Sequence, residues 1–133
     1  MMIGELSKKT GVGIETIRYY EREGLLSPSR RRSSGYREYQ DDAVRRLTFV
    51  RRAKELGFSL KETRELLVVS ASKDATCKDI KHRTQLKIQT IDMKIADLQR
   101  IRDSLNRLAI ACDGDGPTAD CPILEDFYSD GGG

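Results

Sequence analysis

Residues 3–23 read IGELSKKTGVGIETIRYYERE. Ile3 and Leu6 point inward from a short helix over Ile3 to Thr10, and Gly11-Val12-Gly13 then breaks it with two glycines that tolerate positive φ. A second helix begins near Ile14. Over Glu15 to Glu23 it places Ile17 and Tyr20 on one face and Thr16, Arg18, Tyr19 and Arg22 around the other, before Gly24 supplies a stop. Two short helices about a tight turn have the layout of a helix-turn-helix, whose second helix lies in a major groove and presents its outer face to bases and phosphates. Arg18 and Tyr19 are the obvious probes, with Glu15, Thr16 and Arg22 beside them. Taken alone, the pattern also suits a generic helical pair.

The stretch that follows, Ser27 to Gly35, has no apolar periodicity and is rich in turn formers, which predicts an exposed loop. Tyr36-Arg37-Glu38-Tyr39 after it reads as extended. Arg30, Arg31, Arg32 and Arg37 gather four permanent positive charges around Gly35 and Tyr36, where a turn brings guanidinium groups and backbone amides up to phosphate oxygens. Beside a helix-turn-helix such a loop is expected to be a wing, although an arginine-rich loop can also serve solubility alone. Residues 1–70 carry 15 Lys+Arg against 10 Asp+Glu and residues 71–133 carry 9 against 11, so the net charge of +3 hides a basic half and a mildly acidic one. Only the first half is expected to meet a polyanion, and charge by itself does not decide it.

Asp41 or Asp42 is expected to cap a third helix, in which Val44, Leu47, Val50 and Ala53 recur at helical spacing until Gly57 ends it. Ser59 then caps a fourth over Leu60 to Val69. From Cys77 to about Ala111 no Pro or Gly intervenes, and Ile88, Ile91, Ile95, Leu98, Leu105 and Leu108 recur in alternating steps of three and four. That is a coiled-coil seam; Arg102 interrupts it and Ile101 substitutes. Some 35 residues of helix extend about 50 Å at 1.5 Å per residue, too long for so small a domain to cover, so the seam predicts dimerisation. Beyond it Asp113-Gly114-Asp115-Gly116-Pro117 is a loop, and Pro122 opens a short helix over Pro122 to Phe127.

Ile3-Gly4-Glu5-Leu6, Thr16-Ile17-Arg18-Tyr19-Tyr20-Glu21, Gly24-Leu25-Leu26, Gly35-Tyr36-Arg37 and Leu56-Gly57-Phe58-Ser59-Leu60 stand in the order seen in MerR-type regulators, and the chain resembles that family as far as Leu124. The resemblance implies a mainly α fold. Its parts would be an N-terminal winged helix-turn-helix with a second helical pair, a long dimerisation helix in an antiparallel coiled coil, and a C-terminal metal-binding loop with a short helix. The corresponding divisions are 1–70, 71–111 and 112–133.

Cys77, Cys112 and Cys121 are an odd set in a chain without an export signal, so reduced thiols are expected rather than a disulfide framework. Cys77 and Cys112 stand at opposite ends of the long helix, too far apart to share an ion within one chain. The antiparallel pairing that the resemblance implies brings Cys77 of one protomer beside the Cys112–Cys121 loop of its partner, and the twofold axis makes two equivalent sites. Three thiolates suit a soft or borderline ion, not magnesium or calcium. The cysteine positions resemble those of family members responding to divalent mercury, lead or cadmium. The expected ligand is Hg(II) first, then Pb(II) or Cd(II). Copper(I) sensors of the family typically have serine where Cys77 stands and a loop one residue shorter, and zinc sensors add a cysteine and a histidine to the loop, so Zn(II) is disfavoured. His82, the sole histidine, falls one turn after Cys77, where a fourth-ligand role stays open. Solvation is the expected role of Asp113, Asp115 and Asp120.

No catalytic dyad, phosphate loop or cofactor motif points to an enzyme. A cytosolic metal buffer would leave the basic winged half without purpose. The longest apolar runs fall far below the roughly 20 residues that span a bilayer, and the N-terminus lacks a signal-peptide apolar region, so the expectation is a cytoplasmic protein with no membrane partner. The partners implied are double-stranded promoter DNA, a second copy of the chain and RNA polymerase at the promoter.

Overall fold

The computed structural model describes residues 1–27, 30–31 and 37–129. It opens with α1 (Ile3–Thr10) and α2 (Ile14–Arg22). Gly11 closes α1 at φ 74°, its N–H donating to the Ser7 carbonyl. A Cβ there would also meet the Arg51 guanidinium at 3.0 Å, so both backbone conformation and space call for glycine. Two hydroxyls tie the turn: Ser7 donates to the Val12 carbonyl, and Thr10 donates to Leu6 while accepting the Val12 N–H.

A two-stranded antiparallel ribbon follows, β1 (Arg30–Arg31) with β2 (Arg37–Glu38), in the register Arg30 opposite Glu38 and Arg31 opposite Arg37. Arg30–Arg31 lie within the stretch that the sequence reads as loop. A two-residue strand has no periodicity to betray it and exists because β2 is there to pair with. The expected contacts Arg32, Gly35 and Tyr36 lie outside the described residues.

Next come α3 (Asp41–Glu55) and α4 (Leu60–Ala71). The cap expected of Asp41 or Asp42 is not formed. Gln40 is the N-cap and makes no side-chain cap bond, while both aspartates sit in the first turn, where negative charge meets the positive end of the helix dipole. Ser59 does cap α4, in a reciprocal box: its hydroxyl accepts the Glu62 N–H at 3.1 Å and the Glu62 carboxylate accepts the Ser59 N–H at 2.8 Å. Leu6, Ile17, Leu25, Tyr39, Leu47 and Val50 form the centre of the core, with Tyr20, Ala43 and Leu67 around them. The apolar periodicities of α1, α2 and α3 thus converge on one interior.

The remainder is α5 (Cys77–Ala111), a 3-10 turn at Thr118–Asp120 and α6 (Pro122–Phe127). The chain divides into two compact units, the first Met1–Thr84 and the second from Gln85 onward, so α5 begins in one and continues in the other. Within the first unit the Arg83 guanidinium bridges to Glu65 of α4 at 3.2 Å. In the second, Ile88, Ile91, Ile95, Leu98, Ile101 and Leu105 are all exposed, from 37 % at Ile91 to 64 % at Leu98. Among the described residues no helix is long and apolar enough to cross a membrane.

Candidate nucleic-acid interface and thiol site

Ile17 and Tyr20 are buried, which turns Glu15, Thr16, Arg18, Tyr19 and Arg22 of α2 to the solvent. The Arg22 guanidinium lies 5.8 Å from the centroid of the Tyr19 ring, a cation–π pair that holds a charged and an aromatic group side by side on the outer face. Burial, and next the neighbouring Tyr19, raises the Tyr20 phenol above its ordinary pKa, so it stays neutral inside the fold. The Tyr39 hydroxyl donates to the Glu21 carboxylate, joining the residue after β2 to the inner edge of α2. The segment that follows β2 is therefore tied to α2.

Three cations of the basic half have a structural task that the sequence did not disclose. Arg51 donates to the Thr10 carbonyl at the end of α1, Arg64 to the Glu23 carbonyl just beyond α2, and Arg46 to the Leu25 carbonyl. Carbonyls at helix C-termini lack intrahelical partners; Arg51 and Arg64 satisfy those of Thr10 and Glu23, and Arg46 meets the Leu25 carbonyl in the segment after α2. The pairs are 21 to 41 residues apart, so no local signal marks them. Part of the basic surplus therefore belongs to folding.

The thiols fall into a pair and a single. Cys112 follows the last residue of α5, and Cys121 is the N-cap of α6. Cys121 makes no side-chain cap bond, and its thiol pKa is lowered by the nearby Leu124 N–H first, against the opposing effect of desolvation, with smaller contributions from the Ile123 N–H and Cys112. Pro122 at the first helical position is what makes Cys121 the cap, a signal legible in the sequence. Between the two cysteines, Gly114 and Gly116 take positive φ and Asp113 accepts the Asp115 N–H at 2.9 Å, so Asp113 shapes the loop.

Cys77 is exposed and is the first residue of α5, while Cys112 lies beyond the other end of that 35-residue helix. Among the described residues no three of His, Cys, Asp and Glu come close enough to hold a metal ion. His82 is exposed, on the same stretch of α5 as Cys77. The donor set nonetheless fits a soft ion: Cys112 and Cys121 flank one loop, and Cys77 supplies a third free thiol.

Two family models match the chain, "MerR HTH family regulatory protein" over residues 1–68 and "MerR, DNA binding" over residues 44–108. The mercuric resistance operon regulatory protein of Bacillus cereus is 46 % identical over 123 residues, 92 % of this chain and 93 % of that protein. The crystal structure of PbrR691 from Ralstonia metallidurans CH34 in complex with lead(II) superposes with a TM-score of 0.85 at 32 % identity, covering 96 % of this chain and 99 % of that one. The regulator MerR of Bacillus megaterium MB1, in complex with mercury(II), gives a TM-score of 0.73 at 43 % identity, covering 97 % and 100 %.

Proposed function

This chain belongs to the MerR family of metal-responsive transcription regulators, and we propose that its inducer is a soft divalent ion, Hg(II) first and then Pb(II) or Cd(II). Its family is one of DNA-binding regulators, not of enzymes. In our reading residues 1–70 bind promoter DNA, 71–111 pair two chains antiparallel, and 112–133 supply the metal loop. Glu15, Thr16, Arg18, Tyr19 and Arg22 face the major groove, and Arg30, Arg31, Arg32, Gly35, Tyr36 and Arg37 form the wing. The protein works in the cytoplasm, where thiols stay reduced.

One observation carries the metal site. Cys112 and Cys121 bracket one loop just beyond the C-terminal end of α5, while Cys77 is the first residue of that helix. Two such helices side by side in opposite directions put the third sulfur of each pocket on the partner subunit. A metal that bridges both chains changes how the DNA-binding halves are held, and so favours a distorted promoter that RNA polymerase can use. Bending or twisting DNA costs on the order of several kcal/mol. The metal must therefore bind the distorting state more tightly by a comparable amount, since an ion that binds both states equally shifts nothing.

A promoter-reporter panel across Hg(II), Pb(II), Cd(II), Zn(II) and Cu(I) tests the choice of metal. Induction at the lowest concentration by Hg(II), Pb(II) or Cd(II) is the expected result; induction first by Zn(II) or Cu(I) overturns it. The interface has its own test. Arg18→Ala and Arg37→Ala should each weaken operator binding and leave dimer and metal stoichiometry unchanged. If the lost contact is to a phosphate, the slope of log affinity against log salt falls by about one; if it is to a base, specificity relaxes at one position at a cost of about 1–3 kcal/mol. Wild-type operator affinity in both variants removes these residues from the interface.

A further inference from the structure

We propose that Tyr39 is a positioning residue of the DNA interface: the bond from its hydroxyl to Glu21 sets the β1–β2 ribbon against α2 and so fixes the backbone positions of Arg31 and Arg37 relative to Arg18 and Tyr19. The proposal rests on the reading above that these arginines and the outer face of α2 meet DNA. Tyr39 itself is buried in the core.

Tyr39 directly follows β2 and is held at three points. Its N–H donates to the Met1 carbonyl at 2.7 Å, its carbonyl accepts from the Met1 amino group at 2.6 Å, and its hydroxyl donates to the Glu21 carboxylate at 2.5 Å. The two backbone bonds fix the chain after β2 to the segment that leads into α1. The third crosses to α2 and joins residues 18 positions apart. A hydroxyl donating to a carboxylate makes a bond roughly twice as strong as one between neutral groups. Glu21 lies one turn beyond Arg18, so the bond grips the helix that carries the proposed base-reading side chains.

The ribbon carries that position outward. Arg37 is two residues from Tyr39, about 7 Å of extended chain, and Arg31 is its partner in the register across the ribbon, so a shift at Tyr39 moves both backbones. Without the hydroxyl the ring still belongs to the core with Leu6, Ile17 and Leu25, and Ile17 and Tyr20 still hold α2 there. What is lost is the direct tie between strand and helix. The ribbon then has to be ordered against α2 when DNA binds, and ordering one such joint costs a few-fold to about tenfold in affinity. A role for Tyr39 in the core alone would instead lower folding stability and leave the affinity of the folded protein unchanged.

The test is Tyr39→Phe in the full chain, with binding read by fluorescence anisotropy on a labelled duplex that the wild-type protein selects from a random-sequence pool. Salt is kept low enough for every variant to be measured, and denaturant unfolding checks that each is folded. Tyr39→Phe should bind about 3- to 10-fold more weakly than wild type. In the Arg31→Ala Arg37→Ala background the same change should cost less than about twofold, because the ribbon has no contacts left to position, whereas in Arg18→Ala it should keep its full effect. Approached from the acceptor, Glu21→Leu should bind more weakly than Glu21→Gln by the same factor: both lack the charge, and only the amide oxygen of glutamine accepts the hydroxyl. Wild-type affinity in Tyr39→Phe, equal affinity in the two Glu21 variants, or an undiminished loss in the Arg31→Ala Arg37→Ala background overturns the positioning role. Wild-type affinity in Arg31→Ala Arg37→Ala overturns the assignment of the ribbon to DNA, and the positioning role with it.

Discussion

A heterodimer made of one Cys77→Ser chain and one Cys112→Ser chain is expected to bind one metal ion through three sulfurs, although neither parent homodimer does. The reasoning is geometric. If each pocket takes Cys77 from one chain and Cys112 with Cys121 from the other, one pocket of the heterodimer draws Cys77 from the Cys112→Ser chain and the intact pair from its partner. The second pocket lacks two ligands. If all three ligands came from a single chain, every chain would carry a defect and no complete pocket would exist. Loss of a ligand should exceed the roughly 10- to 100-fold that loss of a group merely supporting a ligand costs. In cells Cys77→Ser alone should abolish metal activation and keep promoter binding. The two chains are co-expressed with different tags, and the purified heterodimer is titrated while thiolate-to-metal charge transfer is followed. One three-sulfur site per dimer is the expected count; none, with both homodimers folded, sinks the shared pocket.

Replacing Ile95 and Leu98 together by lysine should dissociate the dimer and, with it, operator binding. Both side chains lie on the seam and are 48 % and 64 % exposed in the single chain. Burying an aliphatic side chain completely is worth about 1.5–3 kcal/mol, and twofold symmetry removes four such side chains at once. Even half of that sum, about 3 kcal/mol, exceeds a hundredfold in the dimer constant, before the repulsion of four facing ammonium groups. Met93→Lys is the control, because Met93 is 69 % exposed and its heptad position points away from the seam. Sedimentation equilibrium reads the dimer and fluorescence anisotropy reads the operator. A double variant that stays dimeric at micromolar concentration would show that some other face joins the chains.

These tests bear unequally on what could be read from the chain alone. The helices α1 to α6 were legible because their signals are local: apolar steps of three and four, Gly11 and Gly57 as stops, Ser59 as a cap, Pro122 at a first turn. Ile17 and Tyr20 inward, with Arg18 and Tyr19 outward, follows from the same periodicity and gives the candidate DNA face without any tertiary knowledge. The cap of α3 misled, because Asp41 and Asp42 suit either an N-cap or a first turn, and Gln40 took the N-cap conformation although it forms no side-chain bond.

What the sequence determined by itself, then, was the run of helices, the outward face of α2, the apolar seam of α5 and a set of three soft thiol donors. Only the tertiary structure decided which distant groups meet. It assigned Arg46, Arg51 and Arg64 to backbone carbonyls at and just beyond the ends of α1 and α2, joined Tyr39 to Glu21, and paired β1 with β2. The physical reason is range. Helical periodicity and capping act over three or four residues and are written in neighbouring letters, whereas a hydrogen bond between residues 18 to 41 positions apart depends on how whole helices pack, to which many sequence positions contribute and which no single one records.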